Sequence, residues 1–187
     1  MSKRLVILDR DGVINHDSDE FIKSPAEWIP IDGSIEAIAM LSGAGFTVAV
    51  ASNQSGIGRK LLDPPTLDAI HDKLRATVKE AGGDVGRIVV CPHHPDDGCD
   101  CRKPAPGLLL RLGRQYGVPL DGVPVVGDSL RDLDAASAVN ARPVLVLTGN
   151  GARTAAALSE AGRVVETYPD LRAAAGRFVD ELPQRAP

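Results

Sequence analysis

The sequence predicts an α/β protein, a doubly wound, Rossmann-like parallel sheet in a three-layer arrangement. Three observations carry the prediction. Short runs of apolar residues recur at 5–8, 46–51, 87–91, 123–127 and 144–147, and runs that do not alternate with polar residues suit strands buried on both faces. Segments with apolar residues at helical spacing separate them, and such alternation builds a parallel sheet between helix layers. Polar or acidic clusters follow the runs at 9–12, 52–56 and 127–132, at the carboxyl ends of strands where open α/β sheets bind ligands.

The first strand ends in Asp9-Arg10-Asp11-Gly12. Two carboxylates this close repel each other unless a cation lies between them, so the pair points to a hard ion such as Mg²⁺. Gly12 lets the backbone turn sharply away. Residues 15–32 carry Pro25, Pro30 and many polar side chains and read as an irregular loop. Within it Asp17, Ser18, Asp19 and Glu20 are either substrate-lining residues or a solvated surface. Asp32-Gly33-Ser34 starts a helix with Ile35, Ile38 and Leu41 at spacings of three, ended by Gly43 and Gly45.

The second strand leads into Ser52-Asn53-Gln54-Ser55-Gly56. Its hydroxyls, amides and glycine-freed backbone N–H groups can donate to phosphate oxygens. Residues 63–81 form an amphipathic helix with Leu67, Ile70, Leu74 and Val78 on one face and Pro64 and Pro65 in the first turn, where proline is tolerated. His71 reads there as a surface or boundary residue. Gly82-Gly83 ends the helix, and 87–91 is the third strand.

All three cysteines then fall within eleven residues, with two of the four histidines: Cys91-Pro-His93-His94-Pro-Asp-Asp-Gly-Cys99-Asp-Cys101. Zn²⁺ takes four N/S ligands in a tetrahedron, and Cys91, His93, Cys99 and Cys101 can supply them. Spacing leaves His93 and His94 both open as the nitrogen ligand, and a redox-sensitive loop is the alternative. Four protein ligands leave no open position, so the site is read as structural. Arg102-Lys103 follows at once, two cations able to neutralise a transferring phosphoryl group and hold the rest of a ligand.

A helix over 108–116 is closed by Gly117, and the fourth strand runs into Asp128-Ser129-Leu130-Arg131-Asp132. Asp128 can complete a metal's ligands with Asp9 and Asp11, while Asp132, one helical turn later, buttresses the loop. A helix over 133–139 and the strand at 144–147 follow. Residues 152–181 alternate Ala-rich helix with a short strand near 164–165, completing the sheet without chemistry.

With 187 residues, the chain is expected to form one domain, 1–187. A net charge of −4 excludes a general nucleic-acid or anionic-membrane binder. No apolar run reaches the ~20 residues that span a membrane. Met1-Ser2-Lys3-Arg4 runs straight into the first strand without the apolar core of a secretion signal, and three cysteines fit a disulfide framework poorly. A cytoplasmic monomer acting on a small molecule is expected.

Asp9, Asp11, Ser52, Lys103 and Asp128 all fall at one edge of the predicted sheet, and together they suit phosphate monoester hydrolysis. Mg²⁺ held by Asp9, Asp128 and the backbone carbonyl of Asp11 would screen the anionic ester. Asp9 attacks phosphorus in line. Asp11 protonates the leaving oxygen and then takes a proton from water. Ser52 and Lys103 hold the equatorial oxygens.

These motifs resemble the haloacid dehalogenase superfamily of phosphotransferases: Asp9-x-Asp11-Gly12, Ser52 after the second strand, Lys103, and Gly127-Asp128, in that order. Cys91-Pro-His-His-Pro and Cys99-Asp-Cys-Arg-Lys-Pro104 narrow the likeness to a capless branch with a zinc loop. The resemblance implies an aspartyl-phosphate enzyme that removes the 7-phosphate of a heptose 1,7-bisphosphate, towards ADP-activated heptose and lipopolysaccharide. It implies Asp9 as nucleophile, Asp11 as acid/base, Asp128 as a magnesium ligand, and Ser52 and Lys103 on the phosphoryl group. Arg102 would recognise substrate, Asp17 to Glu20 would contact it, and Cys91, His93, Cys99 and Cys101 would bind zinc. Two departures stand out, both bearing on contacts to the sugar or its distal phosphate: the loop between His93 and Cys99 is short, and Ser129, at a position that would contact substrate, stands where a lysine is often found. Histidinol-phosphate phosphatase shares the fold, both aspartates and a similar loop. A receiver-type phosphoacceptor domain uses clustered Asp, Ser/Thr and Lys, but with its acidic pair upstream of the phosphorylated Asp and no zinc loop. An inactive, zinc-stabilised binding module is the remaining reading.

Overall fold

A computed structural model describes residues 4–183. Met1 to Lys3, on which the reading of the amino terminus partly rests, and residues 184–187 lie outside the described residues. The strands are β1 (Arg4–Leu8), β2 (Phe46–Asn53), β3 (Ile88–Cys91), β4 (Pro124–Gly127), β5 (Arg142–Val146) and β6 (Glu166–Tyr168). The helices are α1 (Ser34–Gly43), α2 (Ser55–Gly58), α3 (Pro64–Glu80), α4 (Gly107–Tyr116), α5 (Leu130–Ser137), α6 (Gly151–Glu160) and α7 (Leu171–Asp180), with a 3-10 turn at Pro95–Asp97. All strands pair in parallel, in the order β3-β2-β1-β4-β5-β6.

The run Leu5-Val6-Ile7-Leu8 is apolar at every position because β1 is central. Val6 and Leu8 face a core closed by α1, α3 and α7, through Ile38, Ile70, Leu74 and Phe178. Leu5 and Ile7 face the opposite core, closed by α4 and α5 through Leu108, Leu109, Leu112 and Ala136. Successive strand side chains point to opposite faces, so one uninterrupted run serves both layers. Truncating Leu8, fully buried, would leave a cavity costing about 2–5 kcal/mol.

The helices start and stop where local chemistry dictates. Asp63 caps α3 by accepting from the Thr66 N–H at 2.8 Å, with Pro64 and Pro65 just inside. Gly117 closes α4 in the left-handed conformation. The helix expected over 133–139 begins earlier, at Leu130, because Ser129 and Asp132 form a capping box ahead of the apolar periodicity. The last strand is not at 164–165 but at Glu166–Tyr168. Val164 is 98% exposed, and an edge strand paired only with β5 needs no buried apolar run. Among the described residues no helix is long and apolar enough to cross a membrane.

β1 has β2 on one side and β4 on the other, so successive connections leave it in opposite directions. That reversal opens a crevice at the carboxyl ends of β1 and β4. The register aligns Leu8 with Val50 and with Val126, and Asp9 N donates to Val126 O at 2.9 Å. The residues following three strands therefore meet at one rim.

Candidate active site

Asp9 sits in this crevice as the first residue beyond β1. The Lys103 ammonium, almost fully buried, lies 3.0 Å from Asp9 Oδ1 and 2.5 Å from Asp132 Oδ1, and donates to Ala51 O at 2.8 Å. Burial works against the Lys103 charge, but the Asp132 and Asp9 carboxylates outweigh it and hold the pKa above the ordinary lysine value. For Asp9 the balance falls the other way. Burial raises it to about 8, opposed by Lys103 and reinforced by Asp132, Asp11 and Asp128. Asp128 is also raised, again first by burial.

Carboxylate oxygens of Asp9, Asp128 and Asp132 lie within 4.8 Å of one another. One ammonium does not balance three carboxylates, and an all-oxygen set of this size fits a hard divalent cation. The backbone is shaped to admit Asp128: at Gly12 (φ +80°) and Gly149 (φ +55°) any Cβ would collide with Asp128 Oδ2, so both turns require glycine. Thr148 Oγ1 ties them together by donating to Gly12 O at 2.6 Å.

The Asp11 carboxylate lies outside that group. It accepts from Arg10 Nε and Nη2, each at 3.0 Å, from Asn15 Nδ2 at 2.9 Å and from Gln54 Nε2 at 2.7 Å. Any metal contact by Asp11 is left to its backbone carbonyl. The third carboxylate of the cluster is Asp132, which also accepts from Ser129 N and Oγ and so joins the buttressing role expected of it to a place in the charged centre.

Ser52 is buried at the end of β2, and its Oγ accepts from Gln54 Nε2 at 2.8 Å. Gln54 thereby bridges Ser52 and Asp11. Asn53 lines the cleft as well, and its amide exchanges hydrogen bonds with Lys103 N and O, both 3.1 Å, so it pins the lysine's backbone. Ser55, Arg102 and Ser129 line the cleft, of about 230 Å³, as do Asp17 and Ser18. Asp19 and Glu20 do not: both are exposed, and Glu20 lies 3.7 Å from Lys23.

Several contributors escaped sequence reasoning. Arg10 is fully buried beneath Asp11, and its Nη1 lies 3.5 Å from His71 Nε2. Asn15 relays to Trp28, whose Nε1 donates to Asn15 Oδ1 at 2.9 Å. Asn150 clasps Asp128 Oδ2 with its backbone N at 2.7 Å and Nδ2 at 3.2 Å. Only Asn150 left a usable signal, the Gly-Asn-Gly turn just beyond β5 at the same rim.

Beside the cleft, ligand atoms of Cys91, His93, Cys99 and Cys101 also lie within 4.8 Å of one another. Cys91 Sγ to Cys99 Sγ and Cys99 Sγ to Cys101 Sγ are each 3.6 Å, and His93 Nδ1 to Cys101 Sγ is 3.2 Å. A tetrahedron with metal–sulfur bonds of about 2.3 Å has sulfurs about 3.8 Å apart, so the cage has the dimensions of a zinc site. His94 is turned to other work, its Nδ1 and N–H capping the 3-10 turn. Burial and bonds from the Cys91 and Cys99 thiols push Cys101 up to about 12, a crowding that a cation would relieve. The loop delivers Arg102 and Lys103 directly from this cage.

A parallel sheet with an acidic nucleophile candidate, a buried lysine and a carboxylate cluster at its switch point defines a phosphoryl-transfer hydrolase of the HAD-like class. The HAD-hydrolase-like family model matches residues 100–174. D-glycero-β-D-manno-heptose-1,7-bisphosphate 7-phosphatase from Pseudomonas aeruginosa is 59% identical over 96% of this chain and 99% of its own. The enzyme of that name from Bordetella bronchiseptica is 54% identical over 95% of this chain and 99% of its own. The crystal structure of the D,D-heptose 1,7-bisphosphate phosphatase from B. bronchiseptica, complexed with magnesium and phosphate, superposes with a TM-score of 0.91 at 51% identity, over 96% of this chain and 99% of that one. The chain belongs to the D-glycero-β-D-manno-heptose-1,7-bisphosphate 7-phosphatase family.

Proposed function

We propose that this protein is a magnesium-dependent phosphatase that removes the 7-phosphate of D-glycero-β-D-manno-heptose 1,7-bisphosphate, on the route to ADP-activated heptose and lipopolysaccharide. The observation that carries the reading is the meeting of Asp9, Ser52, Lys103 and Asp128 in one cleft, in a chain 59% identical to a relative of that name across nearly its full length. The magnesium and phosphate in the B. bronchiseptica structure support Mg²⁺ as the cation of the carboxylate cluster.

The residues then take these roles. Asp9 Oδ attacks phosphorus in line and forms an aspartyl phosphate as the sugar oxygen departs. Asp11 gives that oxygen its proton, then recovers one from the water that attacks the aspartyl phosphate and frees inorganic phosphate. Lys103 and Ser52 hold the equatorial oxygens as charge spreads over them. Asp9, Asp128 and the Asp11 carbonyl would hold Mg²⁺, which supplies the positive charge that keeps Asp9 ionised and offsets the ester's charge. Cys91, His93, Cys99 and Cys101 would hold a structural Zn²⁺ that fixes the position of Arg102 and Lys103. The chain would work as a single-domain cytoplasmic monomer.

The test is phosphate release with Mg²⁺ from the heptose bisphosphate and, in parallel, from histidinol phosphate. A clear preference for the bisphosphate, abolished in Asp9→Asn, is expected. Equal rates, or a preference for histidinol phosphate, would overturn the assignment.

A further inference from the structure

We propose that Arg131 is a specificity-determining residue which, with Arg102, binds the phosphate of the substrate that is not cleaved. The inference rests on the sugar-bisphosphate reading above.

A bisphosphate brings two dianions. One is met by Lys103 and the divalent cation at the carboxylate cluster. A second needs its own cations at the margin of the same cleft, and Arg102 and Arg131 are both there. The two also line an adjoining cavity of about 350 Å³, between Pro95, Gly98 and Cys99 of the cysteine loop and the start of α5. Arg102 Nη1 is buried without a hydrogen-bond partner, and a buried donor left unmade is destabilising until a ligand meets it. Among the described residues neither guanidinium has a carboxylate within ion-pair distance, whereas Arg10, Arg142, Arg163 and Arg177 all do.

Ser129 explains why the second cation comes from position 131. Its hydroxyl donates to Asp132 Oδ2 at 2.5 Å, so the residue directly after Asp128 offers the cleft no charge. Arg131 stands on the first turn of α5, exposed, two residues further on. Two planar guanidinium groups open to the same space can grip a phosphate in bidentate fashion, which a lone serine cannot.

The experiment compares kcat/KM for the heptose 1,7-bisphosphate with that for the heptose 7-monophosphate, in wild type, Arg131→Gln and Arg131→Lys. Binding energy from a remote group acts only on the substrate that carries it. Wild type should prefer the bisphosphate. In Arg131→Gln that preference should fall by about tenfold to a hundredfold, mainly through KM, the loss of one charged hydrogen-bonding partner. Arg131→Lys should fall between. Thermal melting of each variant checks that an exposed substitution leaves the fold intact. An unchanged ratio in Arg131→Gln, or a wild type indifferent to the second phosphate, overturns this inference while leaving 7-phosphatase activity standing. A wild type that hydrolyses neither sugar overturns the functional reading and this inference with it.

Discussion

Magnesium should expel a proton when it binds. Asp9 is raised to about 8 by burial and by Asp132, Asp11 and Asp128, against the pull of Lys103. At pH 7 a carboxyl with that pKa is roughly nine-tenths protonated, and a metal takes the carboxylate form. Binding therefore releases about 0.9 proton at pH 7, about half at pH 8 and about 0.1 at pH 9. Asp128, raised as well, can only add to the count. The apparent affinity for Mg²⁺ should rise about tenfold from pH 6 to pH 7 and level off above pH 8. Titration calorimetry in buffers of different ionisation enthalpy reads the number directly, as the slope of observed against buffer enthalpy. A slope near zero at pH 7 would mean that Lys103 outweighs burial, that Asp9 is already ionised without metal, and that the charge balance drawn for the site is wrong.

Three further outcomes follow from the same contacts. Asp132→Asn breaks a buried pair with Lys103, but Asp9 and Ala51 O remain as partners. Urea unfolding should show a loss at the lower end of the usual range, about 3 kcal/mol, and a loss below about 1 would contradict a buried Lys103–Asp132 pair. Cys101→Ser, or stripping of the metal proposed for the cysteine cage by a chelator with excess Mg²⁺ then restored, should lower the melting temperature and reduce activity together, because Arg102 and Lys103 follow the cage directly; activity retained after that treatment would separate the loop from the site. His71 is lowered to about 4 by burial, then by the Arg10 and Arg75 charges. The unfolded chain therefore takes up a proton first as pH falls, so this stability is present above the unfolded value near 6.5 and is lost as pH drops towards 4. Unfolding free energies measured between pH 7 and pH 4 should decline less steeply in His71→Gln, and an identical slope would rule the histidine out.

The sheet was legible because its inner strands are buried on both faces and so carry unbroken apolar runs, as at Leu5 to Leu8. The edge strand Glu166–Tyr168 has no such run, and the apolar pair of exposed Val164 and partly buried Val165 drew the expectation two residues off. Within the site, Asp9, Ser52, Lys103 and Asp128 were readable because each follows a strand or a loop of unusual composition. What stayed hidden depended on side-chain direction. Spacing could not show that the Asp11 carboxylate turns towards Arg10, or that Asn53 grips the Lys103 backbone. Nor could it choose between His93 and His94, since the choice follows from which ring caps the 3-10 turn. Asn150 lies 22 residues beyond Asp128 and meets it only because β4 and β5 are neighbours in the sheet.

The central claim is that Asp9 takes the phosphoryl group while Lys103, Ser52 and Asp128 surround it. Rapid quenching of the enzyme during turnover with Mg²⁺, followed by borohydride reduction and peptide mapping, reads this directly. Conversion of Asp9 to homoserine, and of no other carboxylate, is the expected result. Reduction at Asp11, Asp128 or Asp132 instead, or at none of them while phosphate is being released, would contradict it.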